Sequence, residues 1–305
     1  MTTVESNPHP DSVSRLNPSA WRPRLASIDI LREFFRLLKR HRRLVLEMAK
    51  REITDRFAGS FLGAAWSIAH PLITMIVLVA VFSILFRGTV PPPGTPQNLI
   101  GLNFTIHMIA PYLVWMAFTD VLVKCCDTIT GNKSLAQQVV FPIEILPVKS
   151  VLASLLPQIV GTVFLIAYTL LEFHRLSWLW IFWPLLLSFE FMLLCGIAYL
   201  VAAVGVFVRD LREVLTVVTM IGFYVSPILF SEYAVPGGDS VAYWFKPILW
   251  CNPASYFMWP FRDVAFHGRF LHWPAWIAFG LGSTAILVVG YRTFRKLKLM
   301  FGNAL

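Results

Sequence analysis

The fold is decided by the stretch GAAWSIAHPLITMIVLVAVFSILF, Gly63 to Phe86, which contains no Asp, Glu, Lys or Arg. A helix rises about 1.5 Å per residue, so about twenty apolar residues cross a hydrocarbon core of about 30 Å. The rest of the chain is similar, because 57% of its 305 residues are hydrophobic and only 14% are charged. A soluble protein cannot bury that much apolar surface, so the sequence predicts an integral membrane protein.

The net charge of +9 is unevenly distributed. Arg and Lys are concentrated in residues 22–56 and 292–298. A nucleic-acid-binding protein could carry such charge. The apolar segments beside these clusters favour cations at the cytoplasmic membrane face instead, and no nucleic-acid partner is expected.

Six apolar segments predict six spans, in an all-α fold with both termini in the cytoplasm. The segments expected inside are the N-terminus, residues 124–150, residues 209–213 and the C-terminus, which carry most of the Arg and Lys. The spans are expected near 63–86, 105–123, 148–171, 178–208, 214–230 and 274–292. They form a membrane domain over 57–298, between a disordered cytoplasmic tail at 1–28, an interface helix at 29–56 and a cytoplasmic tail at 299–305.

The segment before the first span has an amphipathic pattern. One helical face carries Ile30, Leu31, Phe34, Leu38, Val45, Met48 and Ala49, and the other carries Arg32, Arg36, Lys39, Arg40, Arg43 and Lys50. The pattern predicts a helix in the membrane interface, with its apolar side chains in lipid. The alternative is a soluble amphipathic helix that docks on a partner.

The loop before the last span is apolar but broken. It contains Pro253, Pro260 and charged residues, which predicts short helices that dip into the membrane from outside over 240–268. Its side chains could form an external gate or an aromatic belt at the membrane surface. The candidate gate residues are Tyr243, Trp244, Trp250, Asn252, Pro253, Trp259 and Arg262.

A second broken apolar stretch is AQQVVFPIEILPVKS, Ala136 to Ser150, which lies on the predicted cytoplasmic side. Pro142 and Pro147 prevent one continuous helix. We therefore expect one helix to end near Phe141 and another to begin at Pro147. The side chains expected to be exposed on the inner surface are Gln137, Val139, Val140, Phe141 and Ile143. This largely apolar patch either binds a partner or packs against the chain's own helices.

The order of motifs resembles the permease subunit of type-2 ABC exporters, in the branch that exports O-antigen, capsule and teichoic-acid polymers. The segments that carry the resemblance are REITDRFAGSFLGAAWSIAHPL, NKSLAQQVVFPIEILPVKS, VFVRDLREV, GFYVSPILFS and CNPASYFMWPFRDVAFHG. The resemblance implies a bacterial inner-membrane homodimer, two copies of a separate ATPase subunit and a lipid-linked glycan substrate. It also implies a structural turn at Arg209 and Asp210 and an ATPase-coupling region at 131–146. The coupling residues would be Asn132, Lys133, Gln137, Val140, Phe141, Pro142, Ile143 and Glu144.

The chain lacks a phosphate-binding loop of the form G-x-x-x-x-G-K-[ST]. The segment Gly131 to Ser134 resembles only its end. We therefore expect no ATP hydrolysis by this chain, with ATP and Mg bound by the partner. The four cysteines and seven histidines form no metal-binding pattern, so neither a metal nor another cofactor is expected here.

A glycan pathway needs cations for phosphate and aromatic faces for sugars. Arg51 and Arg56 are candidates for phosphate attraction, although ordinary positive-inside charge is the simpler explanation for them. The aromatic candidates are Tyr112, Trp115, Phe118, Phe223 and Tyr224, which could instead face lipid or pack the bundle. Glu190, within the fourth span, is interpreted as a hydrogen-bonded group or a proton relay. The alternative functions are export of a small drug or lipid and, less favoured, membrane glycosyl or acyl transfer.

Overall fold

The computed structural model describes residues 27–85, 104–136, 141–174, 176–228 and 247–304, and these ranges contain helices and turns but no strand. The long helices include α1 (Ser27–Arg40), α2 (Arg42–Asp55), α3 (Trp66–Leu85) and α4 (Phe104–Cys126). After the short α5 (Lys133–Ala136) come α6 (Ile145–Phe173), α7 (Trp183–Gly205), α8 (Leu211–Val225), α9 (Pro253–Arg262) and α10 (Trp273–Ala304). Short 3₁₀ turns precede α3 and α7, at Gly63–Ala65 and Trp178–Phe182.

Five helical segments are long and apolar enough to cross a membrane. They cover Gly63–Val81, Thr105–Cys126, Ile145–Leu171, Trp178–Gly205 and Trp273–Phe301. The all-α membrane fold is therefore confirmed, and five of the six predicted spans are found.

The sixth predicted span, at 214–230, coincides with the 15-residue helix α8. Such a helix is about 22 Å long, shorter than a hydrocarbon core of about 30 Å. It ends at Ser226, which is extended (φ −83°, ψ 156°), because the residue before a proline avoids the helical conformation. The structure therefore does not establish α8 as a span by length.

Two helix boundaries differ from the prediction. Helix α6 begins at Ile145, ahead of Pro147, because a proline in the first turn has no N–H partner to lose. Helix α10 runs to Ala304, well beyond the predicted end of the last span near residue 292. Phe294 and Phe301 are buried on one side of this extension, so the cations between them mark an exposed helix face rather than a helix end.

The tightest helix packing joins α7 to α10. A Cβ atom on Gly196 would lie 2.6 Å from the carbonyl carbon of Ile286, and a Cβ atom on Gly290 would overlap the carbonyl oxygen of Gly196. Small residues allow such backbone contact between membrane helices. Span α3 is the opposite case, since only 11% of Gly63–Val81 is buried.

The predicted interface helix consists of two helices that meet at His41. Its predicted apolar face is buried, but against the chain itself rather than in lipid. Phe34 is fully buried, with its ring 6.3 Å from Tyr199 and 6.1 Å from Tyr291, and Ile30 and Val45 belong to the same core. For Ile30, Phe34, Val45 and Ala49, the expectation of lipid contact is wrong, and their own bundle covers them in place of a separate partner. The other three residues of this face, Leu31, Leu38 and Met48, are half-buried.

Candidate functional site

A cavity of about 940 Å³ opens between α2, the start of α3, the end of α4 and the start of α6. Charged or polar side chains make up 14 of its 24 lining residues, and the other ten are apolar. The described residues around it include five cations and four carboxylates: Arg51, Arg56, Lys124, Lys149, Arg212, Glu52, Asp55, Asp120 and Asp127. We call this cavity the inner mouth, after the cytoplasmic side predicted from the sequence for the segments around it.

The structure places both predicted phosphate-attracting arginines in the inner mouth. The side chain of Arg51 is 83% exposed and its Nε lies 3.3 Å from Asp55 Oδ2. Arg56 lies 3.8 Å from Asp120 Oδ1. The Arg51–Asp55 pair is exposed and the Arg56–Asp120 pair is partly exposed, so neither contributes much stability.

A polar network beside these arginines joins α2 to α6. The Glu52 carboxylate accepts hydrogen bonds from Lys149 Nζ at 2.9 Å and from Ser150 Oγ at 3.1 Å. Lys124 pairs with Asp120 and donates to Ser154 Oγ at 3.3 Å. These groups fix the wall of the inner mouth. Sequence reasoning missed them, although the four-residue spacing of Asp120 and Lys124 is typical of an ion pair on one helix face.

The predicted coupling region divides into an exposed part and a buried part. Lys133 is exposed on the short α5, and Asn132 donates to Thr128 O at 2.8 Å. Gln137 and Val140 lie outside the described residues. Phe141 and Pro142 are half-buried.

The end of this loop packs against the chain. Ile143 is 8% exposed and belongs to the main apolar cluster, which Phe141 also contacts. The Glu144 carboxylate lies 2.8 Å from Lys298 Nζ. The backbone oxygen of Glu144 accepts a hydrogen bond from the Tyr199 hydroxyl at 2.9 Å. The expectation that Ile143 is exposed is therefore wrong. Of the two alternatives for this loop, packing on its own helices holds for Phe141 to Glu144.

The structure brings the five predicted aromatic residues together on α4 and α8. The Tyr112 ring lies 6.3 Å from Phe223, which lies 5.4 Å from Tyr224. Trp115 lies 5.3 Å from Phe118 and covers Gly222, where a Cβ would come within 2.8 Å of it. Trp115 is 7% exposed and Tyr224 is 62% exposed. Trp115 therefore packs the bundle, while Tyr224 presents its ring outward.

The predicted external gate residues occupy different environments. Tyr243 and Trp244 lie outside the described residues. Trp250 is 40% exposed, whereas Trp259 is fully buried, stacked on His272 at 4.9 Å. Arg262 is also buried and donates to the backbone oxygens of His107 and Pro227.

Asn252 and Pro253 begin α9. Asn252 Oδ1 accepts from Ala254 N at 2.9 Å, as an N-cap does, and its Nδ2 donates to Val225 O at 3.3 Å. Pro253 takes the first helical turn, where its missing N–H is no loss. Asn252 therefore ties the start of α9 to the end of α8.

Sequence reasoning missed the role of Asp263. Its buried carboxylate accepts from the backbone N–H of His272 at 2.9 Å and from Trp276 Nε1 at 3.1 Å, and it lies 2.8 Å from His272 Nδ1. Asp263 begins a π-helical turn, Asp263–His267, a feature that is frequent at functional sites. It fixes the connection between α9 and α10.

Residues 43–266 match the sequence model of the family described as ABC-2 type transporter. This chain belongs to the ABC-2 transporter family. Among its relatives is an O-antigen export system permease protein RfbA from Klebsiella pneumoniae, 25% identical over 268 residues, which cover 86% of this chain and 95% of that protein. A second Klebsiella pneumoniae protein of that name is 24% identical over 264 residues, with the same coverage. The RfbA of Myxococcus xanthus is 24% identical over 195 residues, 64% of this chain and 71% of that protein.

In this ABC-2 chain, the predicted turn at Arg209 and Asp210 is exposed. Within the described residues, no ion pair joins these two side chains to each other or to a neighbour. The neighbouring Arg212 does form an ion pair, since its Nη1 lies 2.6 Å from Asp127 Oδ2. This ion pair connects the start of α8 to the end of α4.

Proposed function

We propose that this chain is the membrane permease subunit of an ATP-driven exporter that moves a lipid-linked polysaccharide of the O-antigen type across the bacterial inner membrane. The family match supports a transporter, and the names of three relatives that span much of the chain support the substrate class. The single observation that carries the proposal is that two of these relatives align with this chain over 95% of their own length.

The inner mouth supports a glycan carrier rather than an exporter of small drugs. A drug exporter of the same family calls for a closed, narrow, apolar cavity. The inner mouth instead exposes Arg51 and Arg56 among charged and polar residues, which suits a phosphate anchor. The aromatic rings of α4 and α8, which lie outside the lining of this cavity, are proposed to contact the sugars that follow. Aromatic faces contact sugar C–H groups without fixing register, so a polymer can slide along them.

The exposed tip at residues 130–136 is our proposed docking site for the ATPase subunit. Lys133 and Ser134 are exposed there, and a short helix at a loop tip can enter a groove of another protein. ATP and Mg would be bound by that subunit, and this chain would hydrolyse nothing. We place the tip and both termini in the cytoplasm.

We further propose a homodimer in which α8 completes the sixth crossing and the region around α9 re-enters the membrane from outside. Helix α8 exposes Val214, Val217, Val218, Met220, Ile221 and Tyr224. A second copy could cover this face and enclose a pathway by two-fold symmetry. The re-entrant helices would then close the pathway from outside.

Deletion of the gene in its own bacterium tests the function. We expect loss of surface polysaccharide and accumulation of lipid-linked polymer on the cytoplasmic side, with both restored by the intact gene. Unchanged surface polysaccharide together with increased sensitivity to small toxic compounds would instead support a drug exporter.

A further inference from the structure

We call the segment between α5 and α6 the coupling loop. Its last residue, Glu144, lies directly before α6 and attaches the loop to the bundle. Its side chain is only 11% exposed, and its carboxylate lies 2.8 Å from Lys298 Nζ of α10. The hydroxyl of Tyr199, on α7, donates to its backbone oxygen. A shift of Glu144 would therefore act on both α10 and α7.

Helix α10 extends from this contact to the opposite end of the bundle. It is one helix of 32 residues, Trp273–Ala304, about 48 Å long at about 1.5 Å per residue. Near its other end, Trp276 Nε1 donates to Asp263 Oδ2 at 3.1 Å. About 33 Å of continuous helix thus separates the contact with the loop from the contact with the π-helical turn.

Helices α7 and α10 form one stiff unit. Their backbones touch at Gly196 and Gly290, where a side chain would not fit. The rings of Tyr199 on α7 and Tyr291 on α10 lie 5.3 Å apart. An ion pair between Arg295 and Glu33, at 2.5 Å, also joins α10 to α1. A packed pair of this kind moves as a rigid body rather than deforming.

We propose that Glu144 and Lys298 are positioning residues that transmit the displacement of the ATPase-bound loop to α10. Through α10, the displacement reaches the Asp263–His267 turn and the connection to α9. The two residues touch neither nucleotide nor polysaccharide. This inference depends on the proposed function, because it requires an ATPase subunit bound at the loop.

The test uses the chain reconstituted with its ATPase subunit, with Lys298→Met and Glu144→Gln. The readouts are ATPase binding, ATP hydrolysis and polymer exported per ATP. We expect binding and hydrolysis within about twofold of the unaltered chain, and export per ATP reduced about fivefold or more, as for loss of a charged hydrogen bond. The combination of Glu144→Lys with Lys298→Glu should restore about half of the lost coupling. Lys296→Met, at an exposed cation on the same helix, is the matched control and should leave export unchanged.

A second variant tests the other end of the helix. Trp276→Phe keeps an aromatic ring and removes only the N–H donor to Asp263. It should also lower export per ATP, and its combination with Lys298→Met should be no worse than either change alone, because both interrupt one connection. Two independent effects that multiply would contradict a shared connection.

Two other outcomes would overturn the proposal. Unchanged export per ATP in both single variants would show that the ion pair transmits nothing. Loss of ATPase binding in step with export would show that the pair only folds the loop. Failure of the unaltered chain to bind an ATPase subunit would refute the proposed function itself, a result distinct from both.

Discussion

Gln158 and Glu190 form a hydrogen bond between two spans, with Gln158 Nε2 2.7 Å from Glu190 Oε2. Both side chains are buried, on α6 and α7 respectively. A carboxyl group within a span is costly unless a donor faces it. The interpretation of Glu190 as a hydrogen-bonded group is therefore confirmed, and the donor is Gln158 of the neighbouring helix.

We predict that Gln158→Leu lowers the stability of the purified protein by about 1–3 kcal/mol, because it leaves a buried carboxyl group without its donor. Thermal unfolding in detergent measures this change. Glu190→Gln keeps the size and polarity of the side chain, should cost less, and should preserve export. Loss of export in Glu190→Gln, with dependence on a proton gradient, would favour a proton relay instead.

Neutralising the arginines of the inner mouth should weaken substrate capture. We predict that Arg51→Gln together with Arg56→Gln lowers polymer export about tenfold while protein level and ATPase binding are maintained, because charged hydrogen bonds to phosphate are lost. Surface polysaccharide extracted from cells gives the readout. Lys50→Gln, at an exposed cation of α2 outside the inner mouth, is the matched control. An equal loss of export in the control would show that the two arginines act only through general positive charge and do not capture the substrate specifically.

The contact between α7 and α10 should not tolerate a side chain. Gly290→Ala places a Cβ on the carbonyl oxygen of Gly196, and overpacking of this kind costs about 1–3 kcal/mol. Gly282→Ala, on the same helix with open space around the new Cβ, should be neutral or stabilising by about 1 kcal/mol. Size-exclusion profiles after heating would distinguish the two. Equal behaviour would contradict the backbone contact.

Reversing the charge at the exposed loop tip should weaken ATPase docking. We predict that Lys133→Glu lowers the affinity for the ATPase subunit about tenfold without changing the stability of the chain, because Lys133 is exposed and surface changes rarely affect folding. Pull-down with purified ATPase subunit measures the affinity. Lys296→Glu, a similar reversal at another exposed cation, should bind normally. Unaltered binding by Lys133→Glu would move the docking site elsewhere.

Sequence patterns predicted the apolar helices well, because twenty uncharged residues in a row leave few alternatives. The apolar face of α1 and α2 was also predicted, but its neighbour was not. Hydrophobic periodicity shows which side chains leave water and does not show whether lipid or protein covers Phe34. The same limit applies to Ile143, which belongs to one apolar cluster with Phe294 and Phe301 of α10.

The polar contacts were hardest to predict from the sequence. Glu52 meets Ser150 across 98 residues, and Arg262 meets the backbone of His107 across 155. Such contacts depend on how helices pack in three dimensions, which residue spacing along one helix does not encode. Arg51 and Arg56 were identified because they lie close together in sequence, at the end of one helix.

Reconstitution of polymer export tests the central claim most directly. Vesicles carrying this chain, its ATPase subunit and a lipid-linked polymer would be supplied with ATP on the ATPase side. The account predicts that polymer reaches the opposite side only when both subunits and ATP are present. Export without the ATPase subunit, or ATP hydrolysis by this chain alone, would contradict it.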